Sequence, residues 1–229
     1  MEGIIFDKHM KTQNDIRYRP LYSLGEVSRY ARVTPPTLRN WSRSKDKSII
    51  DLSGSNGNPA PFSFINLIEA HVLEGLRRTH QVPMQKIRIA VDWMKEKFNT
   101  AHPLAELDLE TDGLSIFVRH EGDTIDASKR GQAAFRDILI RYLKRIERDN
   151  NLVPVRFYPF PNDTSPKTVV MDPEVVFGRP VIVGTRITTL MVFERYTGGE
   201  SLTDIAQDYN LKLPDIEEAL RCEIERRAA

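Results

Sequence analysis

The chain has 229 residues, of which 33 are basic and 32 acidic, so its formal net charge is +1 and any nucleic-acid-binding surface must be local. A chain of this length can form two or three small domains. Its single cysteine excludes an intramolecular disulfide and a thiolate metal cluster. No apolar run reaches transmembrane length and no signal-peptide core is present, so we expect a cytoplasmic protein.

Two short helices joined by a tight turn are predicted between residues 21 and 44. Ser23 is a good N-cap, and Glu26 three residues later completes a capping box. Thr34 can cap the second helix, and Pro35 suits its first position, where a missing N–H is harmless. The apolar side chains expected to pack the two helices together are Leu24, Val27, Tyr30, Leu38 and Trp41.

The polar side chains of the second helix predict a DNA-binding surface. In a helix-turn-helix the second helix enters the major groove, where arginine and asparagine match the edges of guanine and adenine. Residues 21–50 hold six basic and two acidic side chains, a local net charge of +4. The alternative is an ordinary helical hairpin with a solvated charged face. The candidate DNA-binding residues are Thr34, Thr37, Arg39, Asn40, Arg43 and Lys45.

The segment after these helices completes the predicted first domain. Residues 49–52 are expected to form a brief strand, and residues 53–61 form a turn that is either a wing beside the DNA groove or a plain connecting loop. Helical spacing then runs from a cap at Ser63 to about residue 78, and again over residues 83–98. Residues 1–100 therefore read as one winged, helical DNA-binding domain.

A middle module is predicted after residue 100. Alternating apolar residues between turn signals indicate a β-hairpin around residues 114–118. Residues 132–149 have a wide apolar helical face and are predicted to be a helix, and residues 153–160 approach strand alternation. We interpret residues 101–161 as a small α+β module packed on the first domain.

The last unit, residues 168–229, follows a turn-forming linker. Helices are predicted at residues 188–196, from a cap at Ser201, and from Pro214 onward. The side chains of the last helix predicted to point inward are Ile216, Ala219, Leu220 and Ile224. From Val169 onward there are eleven acidic and seven basic side chains, a net charge of −4. Acidic side chains repel DNA phosphates, so we expect this unit to bind protein.

Two segments resemble known families. The run YSLGEVSRYARVTPPTLRNWSR, followed by the helix PFSFINLIEAHVLEGLR, resembles a MerR-like helix-turn-helix. The run MDPEVVFGRPVIVGTRI and the helices after it resemble the antitoxin family catalogued as domain of unknown function 433. The combination is similar to VapB-type antitoxins. The predicted elements together give a mainly α fold with small β elements: a winged helix-turn-helix domain, a small α+β middle module and a C-terminal helical domain, which the resemblance implies is homeodomain-like.

The same resemblance implies an antitoxin that neutralises a PIN-like ribonuclease toxin and represses its own operon by binding the operator DNA. PIN-like ribonucleases hold a divalent metal with carboxylates, and an arginine placed among those carboxylates competes with the metal. Arg179 and Arg186, in a Gly/Pro-rich loop, are the candidate toxin-binding residues. The alternative is that both arginines tie the loop to acids such as Asp172 or Glu194.

No dinucleotide, P-loop or zinc motif is present, so we expect no catalysis, no cofactor and no metal. Two other functions stay open: a MerR-like regulator that senses a small molecule through its C-terminal domains, and a stand-alone interaction module. MerR proteins dimerise through a long helix after the DNA-binding domain, and residues 83–98 are too short for that helix. We expect a homodimer or a hetero-oligomer with the toxin, because palindromic operators match two-fold proteins.

Overall fold

A computed structural model describes most of the chain. The described residues are 15–43, 48–52, 58–80, 84–107, 140–159 and 166–228. Within these ranges the fold is mainly helical with two small antiparallel sheets, which confirms the predicted mainly α class. Lys45, residues 53–57 of the predicted turn and the predicted hairpin at 114–118 lie outside the described residues.

Helices α1 (Leu24–Ala31) and α2 (Pro35–Ser42) meet at a tight turn. The hydroxyl of Ser23 accepts the N–H of Glu26, and the Glu26 carboxylate accepts the N–H of Ser23, so the predicted capping box is confirmed. Arg32 ends α1 in a left-handed conformation with φ 56°. Helix α2 begins with proline at its first position, as predicted.

Three further helices, α3 (Phe64–His80), α4 (Met84–Phe98) and α5 (Pro103–Glu106), share one hydrophobic core with α1 and α2. The hydroxyl of Ser63 accepts the N–H of Asn66, so Ser63 caps α3 as expected. The two long helices predicted after the turn are therefore confirmed. Large side chains that are fully buried in this core include Tyr22, Phe62, Phe64, Ile65 and Leu73.

The predicted strand at residues 49–52 does not form. Ile49 and Ile50 donate their N–H groups to the carbonyl oxygen of Trp41, at 2.9 and 3.1 Å, and bury their side chains. The apolar run therefore closes the C-terminal end of α2. Adjacent apolar side chains can be buried at the end of a helix as well as in a strand, so a short run alone does not separate the two.

The predicted helix at residues 132–149 is wrong at its C-terminal end. Residues 140–143 are helical, but β1 (Ile146–Arg148) follows and pairs antiparallel with β2 (Pro154–Phe157). The carboxylate of Asp149 accepts two backbone N–H groups in the loop and stabilises the hairpin turn. Pairing with a later segment outweighs the helical periodicity, and a local pattern does not contain that pairing. Strand β2 confirms the strand predicted after this segment.

The C-terminal unit contains a two-stranded sheet and three helices. Strand β3 (Val169–Val170) pairs antiparallel with β4 (Val181–Ile182). Helices α6 (Thr189–Thr197), α7 (Leu202–Tyr209) and α8 (Leu213–Ala228) follow, close to the predicted positions.

Local signals account for most of this unit. Ser201 caps α7 by accepting the N–H of Asp204, as predicted. Ile216, Ala219 and Leu220 are buried as predicted, but Ile224 is exposed. The buried stripe of α8 continues through Cys222 and Glu223, which turns Ile224 toward solvent.

Strand β2 connects the two units. Phe157 and Met171 exchange both backbone hydrogen bonds, at 2.9 and 2.8 Å. Their side chains are buried in the same core as α1 to α5. The C-terminal helices have a second core of their own, which contains Val192, Ile205 and Ile216.

Candidate functional site

The exposed face of α2 carries the basic and amide side chains. Arg39, Asn40 and Arg43 are exposed, whereas Leu38 and Trp41 are buried in the core. Helix α2 therefore presents two guanidinium groups and one amide on the side opposite its apolar stripe. Five of the six predicted DNA-binding residues lie in or beside α2 within the described part of the chain, and Lys45 lies outside it.

Two threonines lie at the start of α2. Thr34 occupies the N-cap position, as predicted, but its hydroxyl makes no capping hydrogen bond to the helix backbone. The Oγ1 atoms of Thr34 and Thr37 are instead hydrogen-bonded to each other at 2.8 Å. Thr34 is exposed and Thr37 is half-buried, so this pair lies at the surface beside the N-terminal end of α2.

Helix α4 lies beside the C-terminal end of α2. Nη2 of Arg88 is 3.5 Å from the carbonyl oxygen of Asn40. Nζ of Lys95 donates to the carbonyl oxygens of Ser48 and Ile49, at 3.4 and 3.1 Å. Arg88 thus contacts the last turn of α2 and Lys95 the segment after it, and both add positive charge beside the exposed face of α2.

Arg179 lies at the joint between the C-terminal unit and α1. Its guanidinium pairs with the carboxylate of Glu26, the residue that completes the capping box of α1. Asp172, one of the acids considered as a partner for the loop arginines, pairs with Arg156 at 3.1 Å. Arg179 thus has a structural partner, although a different one from those expected.

A second ion pair joins the same two units. Nη2 of Arg32 lies 2.7 Å from the Glu225 carboxylate on α8. Arg32 follows the last residue of α1, and Glu26 lies in its first turn. Helix α1 is therefore held at both ends by ion pairs to the C-terminal unit.

The loop before Arg179 has an uncommon backbone. Val176 (φ 46°), Phe177 (φ 53°) and Gly178 (φ 72°) are successive left-handed residues. This conformation costs roughly 1–2 kcal/mol at a non-glycine residue. The carbonyl oxygen of Gly178 accepts the hydroxyl of Tyr22 at 3.0 Å, and burial raises the pKa of Tyr22, so that hydroxyl stays protonated. Phe177, which no sequence pattern distinguished from a core residue, is 73% exposed.

Arg186 lies in the hairpin between β4 and α6. Val181 pairs with Thr188, and the N–H of Ile182 donates to the carbonyl oxygen of Ile187 at 3.0 Å. The Arg186 side chain is exposed, and within the described residues it makes no hydrogen bond or ion pair. The two candidate toxin-binding arginines therefore differ, because Arg179 is paired within the chain and Arg186 projects from a hairpin.

The surface of the C-terminal unit keeps its acidic character. Arg195 donates to Glu200 at 2.9 Å and to Asp208 at 2.6 Å. These hydrogen bonds raise the pKa of Arg195, and the one from Arg195 lowers the pKa of Glu200. Glu174 and Glu194 are also exposed. The exposed acids follow the negative net charge counted from the sequence.

A small cavity lies beside α1 and α3, lined in part by Tyr30, His71, Glu74 and Tyr142. Its volume of about 10 Å³ has room for roughly one water molecule. Burial lowers the pKa of His71 to about 4, so this imidazole is neutral near pH 7. Among the described residues, no three His, Cys, Asp or Glu side chains are grouped so that they could hold a metal ion.

Comparisons with known proteins identify the class. A family model described as "Protein of unknown function (DUF433)" matches residues 169–221. The chain is 30% identical over 239 aligned positions to the Mycobacterium tuberculosis protein named "Putative antitoxin VapB45", and the alignment covers 93% of this chain and 97% of the relative. The chain therefore belongs to the antitoxin-like family of that protein.

Two further proteins of the same organism are similar to the chain. The M. tuberculosis protein named "Uncharacterized protein Rv2308" is 25% identical over 217 positions, which cover 88% of this chain and 89% of the relative. The X-ray crystal structure of Rv2018 from M. tuberculosis matches with a TM-score of 0.72 and 28% identity. That match covers 88% of this chain and 97% of the solved one, so the architecture extends over almost the whole chain. In the described part of the chain, none of the helices has the length and apolar character that crossing a bilayer requires.

Proposed function

We propose that this chain is the antitoxin of a toxin–antitoxin pair, with a DNA-binding half and a toxin-binding half. In this proposal α1 and α2 form a MerR-like winged helix-turn-helix that represses the pair's own operon. The homeodomain-like unit from residue 168 onward binds and neutralises a PIN-like ribonuclease. The observation that carries the proposal is the membership of an antitoxin-like family along nearly the full chain.

The surface of α2 supports the DNA-binding half. Arg39, Asn40 and Arg43 share its solvent side, and Leu38 and Trp41 fix the helix from the core side. A buried stripe positions the exposed side chains, which is what base readout in a major groove requires. An arginine that is bidentate to guanine contributes roughly 1–3 kcal/mol of discrimination.

The toxin-binding half is supported by the hairpin of Arg186. Its exposed guanidinium, with no partner among the described residues, can pair with carboxylates of a partner protein. Arg179 would first have to leave Glu26, so we assign the inhibitory role to Arg186 before Arg179. In a PIN-like site an inserted guanidinium competes with the divalent metal for carboxylate oxygens.

The small cavity bears on the alternative function. An inducer-sensing regulator needs a pocket for an organic molecule, and such pockets measure roughly 300–1,000 Å³. The cavity beside Tyr30 and His71 holds about 10 Å³, so it does not fit an organic inducer, and it lies by the first core and not in the C-terminal unit where the alternative places the sensor. The antitoxin proposal needs no small-molecule site, because the regulating ligand is the toxin itself.

Two substitutions of the same kind test the two halves against each other. Arg39→Ala and Arg186→Ala each remove one exposed guanidinium, one from α2 and one from the hairpin. We expect Arg39→Ala to weaken operator binding roughly 5- to 150-fold and to leave toxin binding unchanged. We expect Arg186→Ala to weaken toxin neutralisation and to leave operator binding unchanged.

The toxin test uses the product of the reading frame adjacent to this gene. Co-expression is scored for rescue of growth, and the purified proteins are tested for co-elution. Rescue and co-elution by the wild-type chain support the proposal, and absence of both contradicts it. If Arg179→Ala and Arg186→Ala both leave toxin neutralisation intact, neither arginine inhibits the toxin.

A further inference from the structure

Phe177 is an aromatic side chain that the fold holds in solvent. Its ring is 73% exposed, more than any other large hydrophobic side chain of the described residues. The loop is fixed on its C-terminal side, where Gly178 accepts the Tyr22 hydroxyl and Arg179 pairs with Glu26. A left-handed backbone at a bulky exposed residue is unfavourable, so it persists only where the surrounding structure imposes it.

Three other exposed apolar side chains lie in the segments next to this loop. Val183 follows β4, and Leu190 and Met191 lie in the first turn of α6. The N–H of Thr189 donates to the carbonyl oxygen of Pro180 at 3.0 Å, which brings the start of α6 against the end of the Phe177 loop. Clustered exposed apolar side chains mark interaction surfaces, whereas single ones do not. We name Phe177, Val183, Leu190 and Met191 the apolar patch.

The charges around the apolar patch indicate its partner. Glu174 precedes Phe177 by three residues, and Glu194 follows Leu190 by one helical turn, and both are exposed. The unit from Val169 onward carries a net charge of −4. Arg179 and Arg186 are exposed in the same segments, but Arg179 is paired with Glu26, so among the described residues the two glutamates face one unpaired arginine. An apolar centre with this acidic excess repels DNA and anionic lipid surfaces and is complementary to basic side chains of a protein. A ribonuclease must attract RNA phosphates, so we expect basic side chains on the surface that surrounds the carboxylates of its active site.

From this complementarity we infer that the apolar patch is the docking surface for the ribonuclease partner, with Phe177, its most exposed member, as the main anchor. The inference rests on the proposed function and specifies which side chains carry the affinity. Aromatic anchors surrounded by smaller apolar contacts dominate the binding energy of many interfaces. Arg186, in the hairpin that follows Val183, supplies the polar contact at the edge of this surface.

The chain offers a matched control for the test. Leu152 is also exposed (43%), also has a left-handed backbone (φ 65°), and lies in the β1–β2 hairpin outside the C-terminal unit. Asparagine tolerates the left-handed conformation better than either residue. Phe177→Asn and Leu152→Asn therefore each replace an exposed apolar side chain by an amide at a left-handed backbone position. Neither variant is expected to lower the thermal unfolding midpoint.

The experiment is calorimetric titration of the purified full-length chain with the purified product of the adjacent reading frame, which the proposed function expects to be the ribonuclease. We expect Phe177→Asn to weaken binding roughly 30-fold or more, the range of an interface hot spot, and Leu152→Asn to change the dissociation constant less than twofold. Operator binding by Phe177→Asn should match that of the wild-type chain, which separates the docking surface from α2.

The other outcomes overturn the inference in distinguishable ways. If the wild-type chain binds the ribonuclease and Phe177→Asn binds it equally well, Phe177 is not an anchor of the interface, and the proposed function stands. If the wild-type chain does not bind, the proposed function fails and the inference fails with it. If Phe177→Asn changes the oligomeric state measured by light scattering, the apolar patch is a contact between copies of this chain.

Discussion

The first two helices and the C-terminal unit are both compact helical structures, yet they present opposite surfaces. Helices α1 and α2 bury Val27, Leu38 and Trp41 almost completely and expose arginine and asparagine. The C-terminal unit buries a smaller core and leaves Phe177 and Leu190 in solvent among exposed acids. A basic polar surface suits a polyanion, whereas an apolar surface with acidic surround suits a basic protein.

The difference shows that the shape of a helical unit does not determine its partner. Both units use serine caps and short helices, so their backbones are built by the same local rules. Their partners are determined by the side chains that remain exposed once the core is formed. The ion pairs Arg179–Glu26 and Arg32–Glu225 connect the two surfaces through α1.

The largest expected effect comes from truncating a side chain that α2 buries in the core. Trp41→Ala should lower the free energy of unfolding by roughly 3–5 kcal/mol, because a fully buried tryptophan leaves a large cavity. In each variant, urea unfolding is followed by the fluorescence of the one tryptophan that remains. Trp93→Ala, which removes a half-buried tryptophan, is the control and should cost clearly less. Equal losses would contradict the assignment of Trp41 to the core.

Acid should destabilise the first core through His71. Its pKa is about 4 in the folded chain because of burial, and about 6.5 when unfolded, so the unfolded state binds more protons between these values. Stability should therefore fall as pH drops from 6.5 to 4, by roughly 3 kcal/mol in total from this group. Urea unfolding from pH 7 to 4.5 should show this slope in the wild-type chain and a smaller one in His71→Asn. Identical slopes of unfolding free energy against pH in the two proteins would contradict this prediction.

Gly178→Ala should break the joint between the two units. A β-carbon at Gly178 would overlap the Tyr22 hydroxyl, and alanine is unfavourable at φ 72°. We expect a loss of about 2 kcal/mol in unfolding free energy. Combined with Tyr22→Phe, the substitution should cost less than the sum of the two single changes, because the overlap is relieved. Strict additivity in this double-mutant cycle would argue against the contact.

The smallest effect is expected from the ion pair of α1 with α8. Arg32 and Glu225 are partly exposed, and pairs of this kind contribute about 0.2–1 kcal/mol. The coupling energy comes from a cycle of Arg32→Gln, Glu225→Gln and the double variant, and it should shrink at 1 M salt. A coupling above 2 kcal/mol would show that the joint is more strongly desolvated than the exposure of these side chains indicates.

Local features of this fold were predictable because their causes lie within a few residues. The capping box of Ser23 and Glu26 spans three residues, and the Ser201 cap spans three more. The apolar stripes of α3 and α4 are also local, since side-chain spacing sets the buried face. The error at the end of the predicted helix at 132–149 had no such local signal, because β1 forms by pairing with β2 later in the chain.

The joint and the apolar patch were not predictable in the same way. Arg179 and Glu26 are 153 positions apart in the chain, and no local spacing links them. Phe177 follows two valines, so the run reads as buried sequence, yet Phe177 has a positive φ and is exposed. The residues that define the α2 surface were named from the sequence because a helix places them by periodicity. A loop has no such periodicity.

The single thiol of the chain makes the opening of the second core measurable separately from that of the first. Cys222 is fully buried on α8, and both tryptophans of the sequence lie in the first half of the chain. A thiol reagent can modify Cys222 only when α8 separates from its neighbours, so the labelling rate measures the opening of the C-terminal unit. Fluorescence and labelling, recorded on one unmodified sequence, can therefore show whether the two halves open together or one before the other.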